Sequence, residues 1–304
     1  MNAEITRLDA LKTERDAVIM AHYYAPDEVQ DVADYIGDSF YLATVAARIA
    51  CRTVVLCGVT FMAESAKILS REKTVLVPAL SAVCPMAGMA TAEQIREARR
   101  EHGDIAVVCY VNSTAAVKAE SDVCVTSSNA VKIAAKLPQK NLYFTPDRNL
   151  GAYIQSKLPD KHIVWNDGFC CVHDGISGEQ TARALNAHRG AKLLAHPECR
   201  AEVLAYADYV GSTAGMLDYV TRALERVFIV ATETGILHQM RARCPDKLFY
   251  TANSHQFCKQ MKHNTVAAIC AALETLSPQM TLDDALAERA YAPLSRMVEL
   301  AAET

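Results

Sequence analysis

The chain has 304 residues, 51% of them hydrophobic and 22% charged, with a formal net charge of −4. Such proportions belong to a globular protein with a sizeable core, and the weakly acidic balance disfavours nucleic acid or an anionic membrane as partner. No apolar run reaches the length of a membrane span, and the charged start MNAEITRLDALKTERDA lacks a signal-peptide core, so a cytoplasmic location is the default expectation.

Taken in chain order, short β-branched or apolar runs alternate with helical patterns. Strands are predicted at 18–22, 53–58 and 74–77, then at 105–111, 122–126, 141–144 and 163–166, then at 192–195, 209–211, 227–231 and 248–251. The alternation reads as βα units in parallel sheets. Thr91 and Gln94 form a capping-box pattern with Gly103 as the stop, and Ser177 and Gln180 repeat it with Gly190 as the stop. Thr281, ahead of Asp284, is expected to start the last helix. No Gly/Ser/Pro-rich linker interrupts the chain, so the units are expected to pack tightly.

A period near 87 residues runs through these elements. His22, Tyr110 and His196 fall in register, as do Ser39, Ser127 and Ser212, and Cys57, Phe144 and Ala231. Cys84, Cys170 and Cys258 are 86 and 88 residues apart, each seven residues before a helix-opening hydroxyl: Thr91, Ser177 and Thr265. The expected architecture is therefore α/β: three homologous αβα sandwich units with parallel sheets, arranged with pseudo-threefold symmetry around a central site. Boundaries are expected at 1–88, 89–174 and 175–304.

Eleven cysteines in a reducing compartment point to metal binding or catalysis, not to a disulfide framework. Cys51, Cys57, Cys109, Cys124, Cys199, Cys244 and Cys270 read as small core hydrophobes. Cys84, Cys170 and Cys258 read as metal ligands at loops beyond strand ends. Cys171 competes with its neighbour, and the seven-residue step to the cap favours Cys170. Cys170 and His173 form a C-x-x-H pair, which keeps zinc open. Three isolated thiolates from three units suit a [4Fe–4S] cluster with one open, Lewis-acidic iron better. Ser39, Ser127, Ser212 and Thr213 sit at strand-to-helix turns, as anion sites or as plain N-caps. His22, Tyr24, Tyr110, Asn112, His173, His196 and Glu198 lie at or after strand ends, with His196 and Glu198 a candidate acid–base pair. Two other readings remain at this point: an iron–sulfur hydro-lyase acting on another hydroxy acid, and a non-catalytic anion-binding scaffold with zinc or reduced cysteines.

Over essentially its whole length the chain resembles the quinolinate synthase family. The resemblance rests on AHYY (21–24), GDS (37–39), CGVTFMAESAKIL (57–69), CPMA (84–87), YVNSTAAVKA (110–119), GFCCVH (168–173), AHPEC (195–199), GSTAGM (211–216) and CKQMK (258–262). It implies three αβα units around a [4Fe–4S] cluster held by Cys84, Cys170 and Cys258. It further implies condensation of iminoaspartate with dihydroxyacetone phosphate to quinolinate, phosphate and two waters in de novo NAD biosynthesis, coupled to an enzyme that makes iminoaspartate. Substrate-binding positions fall on His22, Ser39, Tyr110, Asn112, Ser127, His196, Glu198, Ser212 and Thr213; Tyr24, His173, His196 and Glu198 fall on positions tied to proton transfer. Thr60 stands where many relatives have His, which puts that side chain's role in doubt. CKQMK lacks the further cysteines of some relatives, so their regulatory disulfide is not expected.

Overall fold

The computed structural model describes residues 2–302. The first segment runs α1 (Asn2–Glu14), β1 (Ala17–His22), α2 (Asp27–Asp31), β2 (Tyr35–Gly37), α3 (Ser39–Arg48), β3 (Thr53–Cys57), α4 (Thr60–Leu69) and β4 (Thr74–Leu76). The second runs α5 (Ala92–His102), β5 (Ala106–Tyr110), α6 (Ala115–Lys118), β6 (Val123–Val125), α7 (Ala130–Lys136), β7 (Asn141–Thr145), α8 (Arg148–Lys157) and β8 (His162–Trp165). After a one-turn helix α9 (Cys171–Asp174), the third runs α10 (Gly178–Ala187), β9 (Lys192–Ala195), α11 (Ala201–Leu204), β10 (Tyr209–Val210), α12 (Thr213–Arg222), β11 (Val227–Ala231), α13 (Ile236–Arg243) and β12 (Leu248–Thr251). Two helices close the chain: α14 (Val266–Thr275) and α15 (Asp284–Ala302).

Each segment builds one four-stranded sheet with the same order: β2-β1-β3-β4, β6-β5-β7-β8 and β10-β9-β11-β12. All sheet pairs are parallel. The inner strands read as unbroken apolar runs because helices cover both faces, and β3 and β5 are buried throughout. The protein is thus α/β with three αβα units, as the repeat requires.

Three local expectations need comment. Both capping boxes form: the Gln94 N–H donates to Thr91 Oγ1 (3.2 Å) and the Gln180 N–H to Ser177 Oγ (3.2 Å). The last helix is capped by Asp283, whose Oδ1 accepts the Leu286 N–H (2.9 Å), and not by Thr281. An N-cap must accept from the third helical residue, and from Asp284 onward only Asp283 stands at that distance. One strand, β2, is absent from the predicted set. It is three residues long and half-buried, too short for a period to show, although β6 lies 88 residues further on.

The last two helices leave the third sheet. Helix α14 packs on α1 and β3, and α15 lies across α4, α6, α7 and β6. The segment between them covers the open edge of β4: the Val77 N–H donates to Pro278 O (3.0 Å) and the Met280 N–H to Val75 O (2.8 Å). Among the described residues no helix is long and apolar enough to cross a membrane.

Candidate functional site

Open parallel sheets collect ligands outside the carboxyl ends of their strands, where the strand order reverses. With the order 2-1-3-4, that place lies at the ends of β1, β5 and β9. There stand His22, Tyr110 and, one residue past its strand, His196. All three line one cleft that is partly open to solvent.

Tyr24, Asn112 and Glu198, each two residues further along its chain, reach the same cleft, as do Ser39, Ser127, Thr213 and His173. Cys84, Cys170 and Cys258 line it as well. Of the site residues expected from sequence, Ser212 alone stays off the lining: its Oγ accepts the Gly215 N–H (3.2 Å) and caps α12, leaving Thr213 to face the cleft. The Thr60 hydroxyl also points elsewhere, donating to Ala82 O (3.1 Å).

The repeat recurs in the imidazoles. His22 Nδ1 accepts the Tyr24 N–H (3.1 Å), and His196 Nδ1 accepts the Glu198 N–H (3.3 Å). Each backbone contact leaves Nε2 of the neutral ring as the protonated nitrogen, a donor for a ligand. Burial lowers both rings from 6.5 to about 3, so they are neutral at physiological pH.

Across all three units runs a chain of hydrogen bonds. Tyr24 Oη lies 2.8 Å from Thr213 Oγ1 and 2.8 Å from Thr232 Oγ1. Thr232 Oγ1 lies 2.8 Å from His173 Nε2, and His173 Nδ1 lies 2.7 Å from Glu198 Oε2. Burial opposes ionisation of Glu198, but the imidazoles of His196 and His173 and hydrogen bonds outweigh it and hold the carboxyl below the usual range. An ionised Glu198 accepts a hydrogen bond from His173 Nδ1–H, and in the neutral ring Nε2 is then an acceptor. Since each hydroxyl has one proton, the direction of the rest follows: Thr213 donates to Tyr24, Tyr24 to Thr232, and Thr232 to His173. Two buried acceptors on the lining, Asn112 Oδ1 and Glu198 Oε1, have no hydrogen-bond partner among the described residues, which marks them for a ligand.

The cysteines form the other wall. Burial pushes the Cys84 thiol up to about 12, and the neighbouring Cys258 and Glu198 add to it. Cys170 is raised well above the ordinary value by burial and then by Glu198 and Cys84, and Cys258 is raised by burial. The mutual effects mean that the three sulfurs share one neighbourhood. Left to themselves they are protonated; a soft, sulfur-seeking cation would take the place of the protons. Cys171 is exposed at the rim, whereas Cys170 Sγ turns inward to within 3.2 Å of His173 Nδ1. Cys170, His173 and Glu198 bring three donor atoms within 4.8 Å of one another. Both nitrogens of His173 are already engaged, however, so this group is an acid–base cluster joined to the sulfur wall more than a free mixed-ligand set.

Sequence reasoning missed Thr232, which joins Tyr24 to His173. Its signal was present: it follows Ala231, the third member of the Cys57–Phe144 register. Phe61 and Met261, the apolar part of the lining, carried no signal beyond a buried helix face.

A family model described as Quinolinate synthetase A protein matches residues 6–299. The chain is similar to the quinolinate synthase of Fusobacterium nucleatum, 45% identical over 297 residues that cover 98% of this chain and 99% of the relative. It is similar as well to those of Caldicellulosiruptor bescii (44% over 302 residues, 99% and 100%) and Methanoregula boonei (46% over 300 residues, 99% and 98%).

Proposed function

The chain belongs to the quinolinate synthetase A family, and from that premise we propose that it condenses iminoaspartate with dihydroxyacetone phosphate to quinolinate, phosphate and water in NAD biosynthesis. The observation that carries the reading is the meeting of Cys84, Cys170 and Cys258, one from each repeat, in the cleft that holds the neutral imidazoles and the unpartnered acceptors. The donor set, three half-buried cysteines beside a His173 whose two nitrogens are both engaged, would fit a [4Fe–4S] cluster with one iron free of protein. When bound, that cluster supplies a Lewis-acidic iron.

The chain's own residues do the rest. Both substrates are anionic, yet among the described residues no Lys or Arg lines the cleft. Phosphate and carboxylates are held instead by the hydroxyls of Ser39 and Ser127, the turn that Ser212 caps, and the free N–H groups at the starts of α3 and α12, that of Thr213 among them. Neutral imidazoles of His22 and His196 donate through Nε2, and Tyr110 and Asn112 complete the polar wall. Ring closure with loss of phosphate and two waters needs protons taken and returned. The chain Tyr24–Thr232–His173–Glu198 can move one by reversing its hydrogen-bond direction, with Glu198 as the resting base. An imine hydrolyses in water, so supply by an iminoaspartate-producing enzyme in the same reducing compartment, the cytoplasm, is part of the reading.

The test is an anaerobic preparation assayed for iron, sulfide and visible absorbance, then for quinolinate from the two substrates. About four irons per chain and quinolinate formation are expected. A colourless protein carrying zinc, or full turnover without iron, overturns the proposal.

A further inference from the structure

Behind each cysteine the three units share a clamp. The N–H of Thr60 donates to Ala82 O (2.9 Å), that of Arg148 to Gly168 O (2.8 Å), and that of Thr234 to Gln256 O (2.8 Å). Each donor follows the third strand of its unit, and each acceptor lies two residues before the cysteine. The residue just before each donor differs: Val59, Asp147 and Glu233. In the second unit the Cys170 N–H donates to Asp147 Oδ2 (3.0 Å), while Oδ1 accepts the Leu150 N–H (2.7 Å) and caps α8. In the third, the Cys258 N–H donates to Glu233 Oε1 (3.0 Å), and Oε2 accepts the Gly235 N–H (2.6 Å). Lys262 also reaches Glu233 Oε1 (3.0 Å). Both carboxyls are buried, at 0% and 1% exposure, so no water competes for these bonds. In the first unit Val59 offers no acceptor, and Leu80 and Val83 of the Cys84 loop are more than half exposed.

We propose that Asp147 and Glu233 are positioning residues that hold Cys170 and Cys258 at ligand spacing before any cluster is present, whereas the Cys84 loop, held through Ala82 and the Ser81 Oγ–His263 Nδ1 contact (3.1 Å) but backed by Val59 where the other units have a carboxyl, is drawn in by the cluster itself. The inference rests on the iron–sulfur reading above. A carboxylate that accepts a buried backbone N–H fixes the adjacent Cα and hence the direction of the thiol, which lowers the entropy lost when three loops close on one centre. The unequal backing means that the three ligands do not contribute equally to assembly.

Two measurements test this on the full chain. The first is amide hydrogen exchange in the iron-free protein. In Asp147→Ser the new hydroxyl can still cap α8 but cannot reach Cys170. Exchange at the Cys170 amide should quicken about tenfold or more, with Cys258 unchanged; Glu233→Met, which leaves no acceptor oxygen for the Cys258 N–H, should do the reverse. The second is the rate at which a chelator strips iron from the loaded protein. Both variants should release it about tenfold faster than the parent, with substrate KM unaltered and kcat falling only in step with iron content. Ser177→Ala, which removes a cap away from the cleft, controls for general destabilisation, and Asp147→Asn serves if the serine variant does not fold. Exchange within twofold of the parent at the expected amide, or iron held as tightly as in the parent, overturns the proposal. A parent chain that takes up no iron or sulfide overturns the iron–sulfur reading and takes this inference with it.

Discussion

The first and second units meet through oil, the third meets them through water-loving groups. One continuous apolar cluster runs from Met20 and Leu42 of the first unit through Leu294 and Met297 of α15 to Val107 and Phe144 of the second. The third unit keeps two clusters of its own, shared with the first mainly through Tyr23. Beyond Met261, which joins the large apolar cluster, it is tied to the others by polar contacts: Tyr24 to Thr213 and Thr232, His173 to Thr232, Gln30 Nε2 to Gly235 O (3.0 Å), His238 to Asp31 (2.7 Å) and Arg200 to Asp174 (2.9 Å). Apolar burial gives stability without direction, so it can fuse two units but cannot do chemistry. Buried polar groups cost free energy unless each finds a partner, and the partners found here are the groups that can hold or move a proton.

The comparison can be broken most sharply at Glu198, on the polar seam. Glu198→Gln should lower kcat by roughly 10²–10⁴-fold while the fold and the iron content persist. Near-normal turnover removes Glu198 from proton transfer. Leu294, wholly buried in the apolar seam, is the opposite case. Leu294→Ala should cost about 2–5 kcal/mol in urea unfolding and leave kcat per folded molecule unchanged; a kcat loss would mean that the apolar seam also shapes the site. Thr232→Val stands between the two. It leaves Tyr24 and His173 without a shared partner in a buried place, which should cost about 1–3 kcal/mol and lower kcat as well. Loss of stability with unchanged kcat would reduce Thr232 to a structural bridge.

A further expected effect is on acid stability. His22 and His196 have folded values near 3 against 6.5 for a free ring. Between those values the unfolded chain binds more protons than the folded one, so stability falls as pH drops from about 6.5 toward 3. Each ring adds up to about 1.4 kcal/mol per pH unit to that slope. Urea midpoints of the iron-free chain from pH 7 to pH 4 should therefore fall more steeply than those of His196→Gln. Equal slopes would mean that His196 is not buried as a neutral ring.

What could be read early was whatever repeats. The α/β class, the three units and the three special cysteines follow from a period that any α/β unit must show when its strands, turns and caps recur. Even the capping boxes at Thr91 and Ser177 were legible, because a cap and its partner lie three residues apart. What escaped was short or departed from the repeat. Strand β2 has three half-buried residues and no hydrophobic signature. Asp283 caps the last helix in a run, TLDDA, where three side chains could have done so.

By itself the sequence determined the fold class, the unit count and most of the residues that reach the cleft, because strand-end chemistry is set by position within a repeat. Only the tertiary structure decided which of them act together. Thr232 joins Tyr24 to His173 because of contacts between segments 208 and 59 residues apart, which no local pattern carries. The same holds for the seams: α14 and α15 follow the third unit in the chain yet bury their apolar faces on the first two, where uncovered hydrophobic surface awaited them.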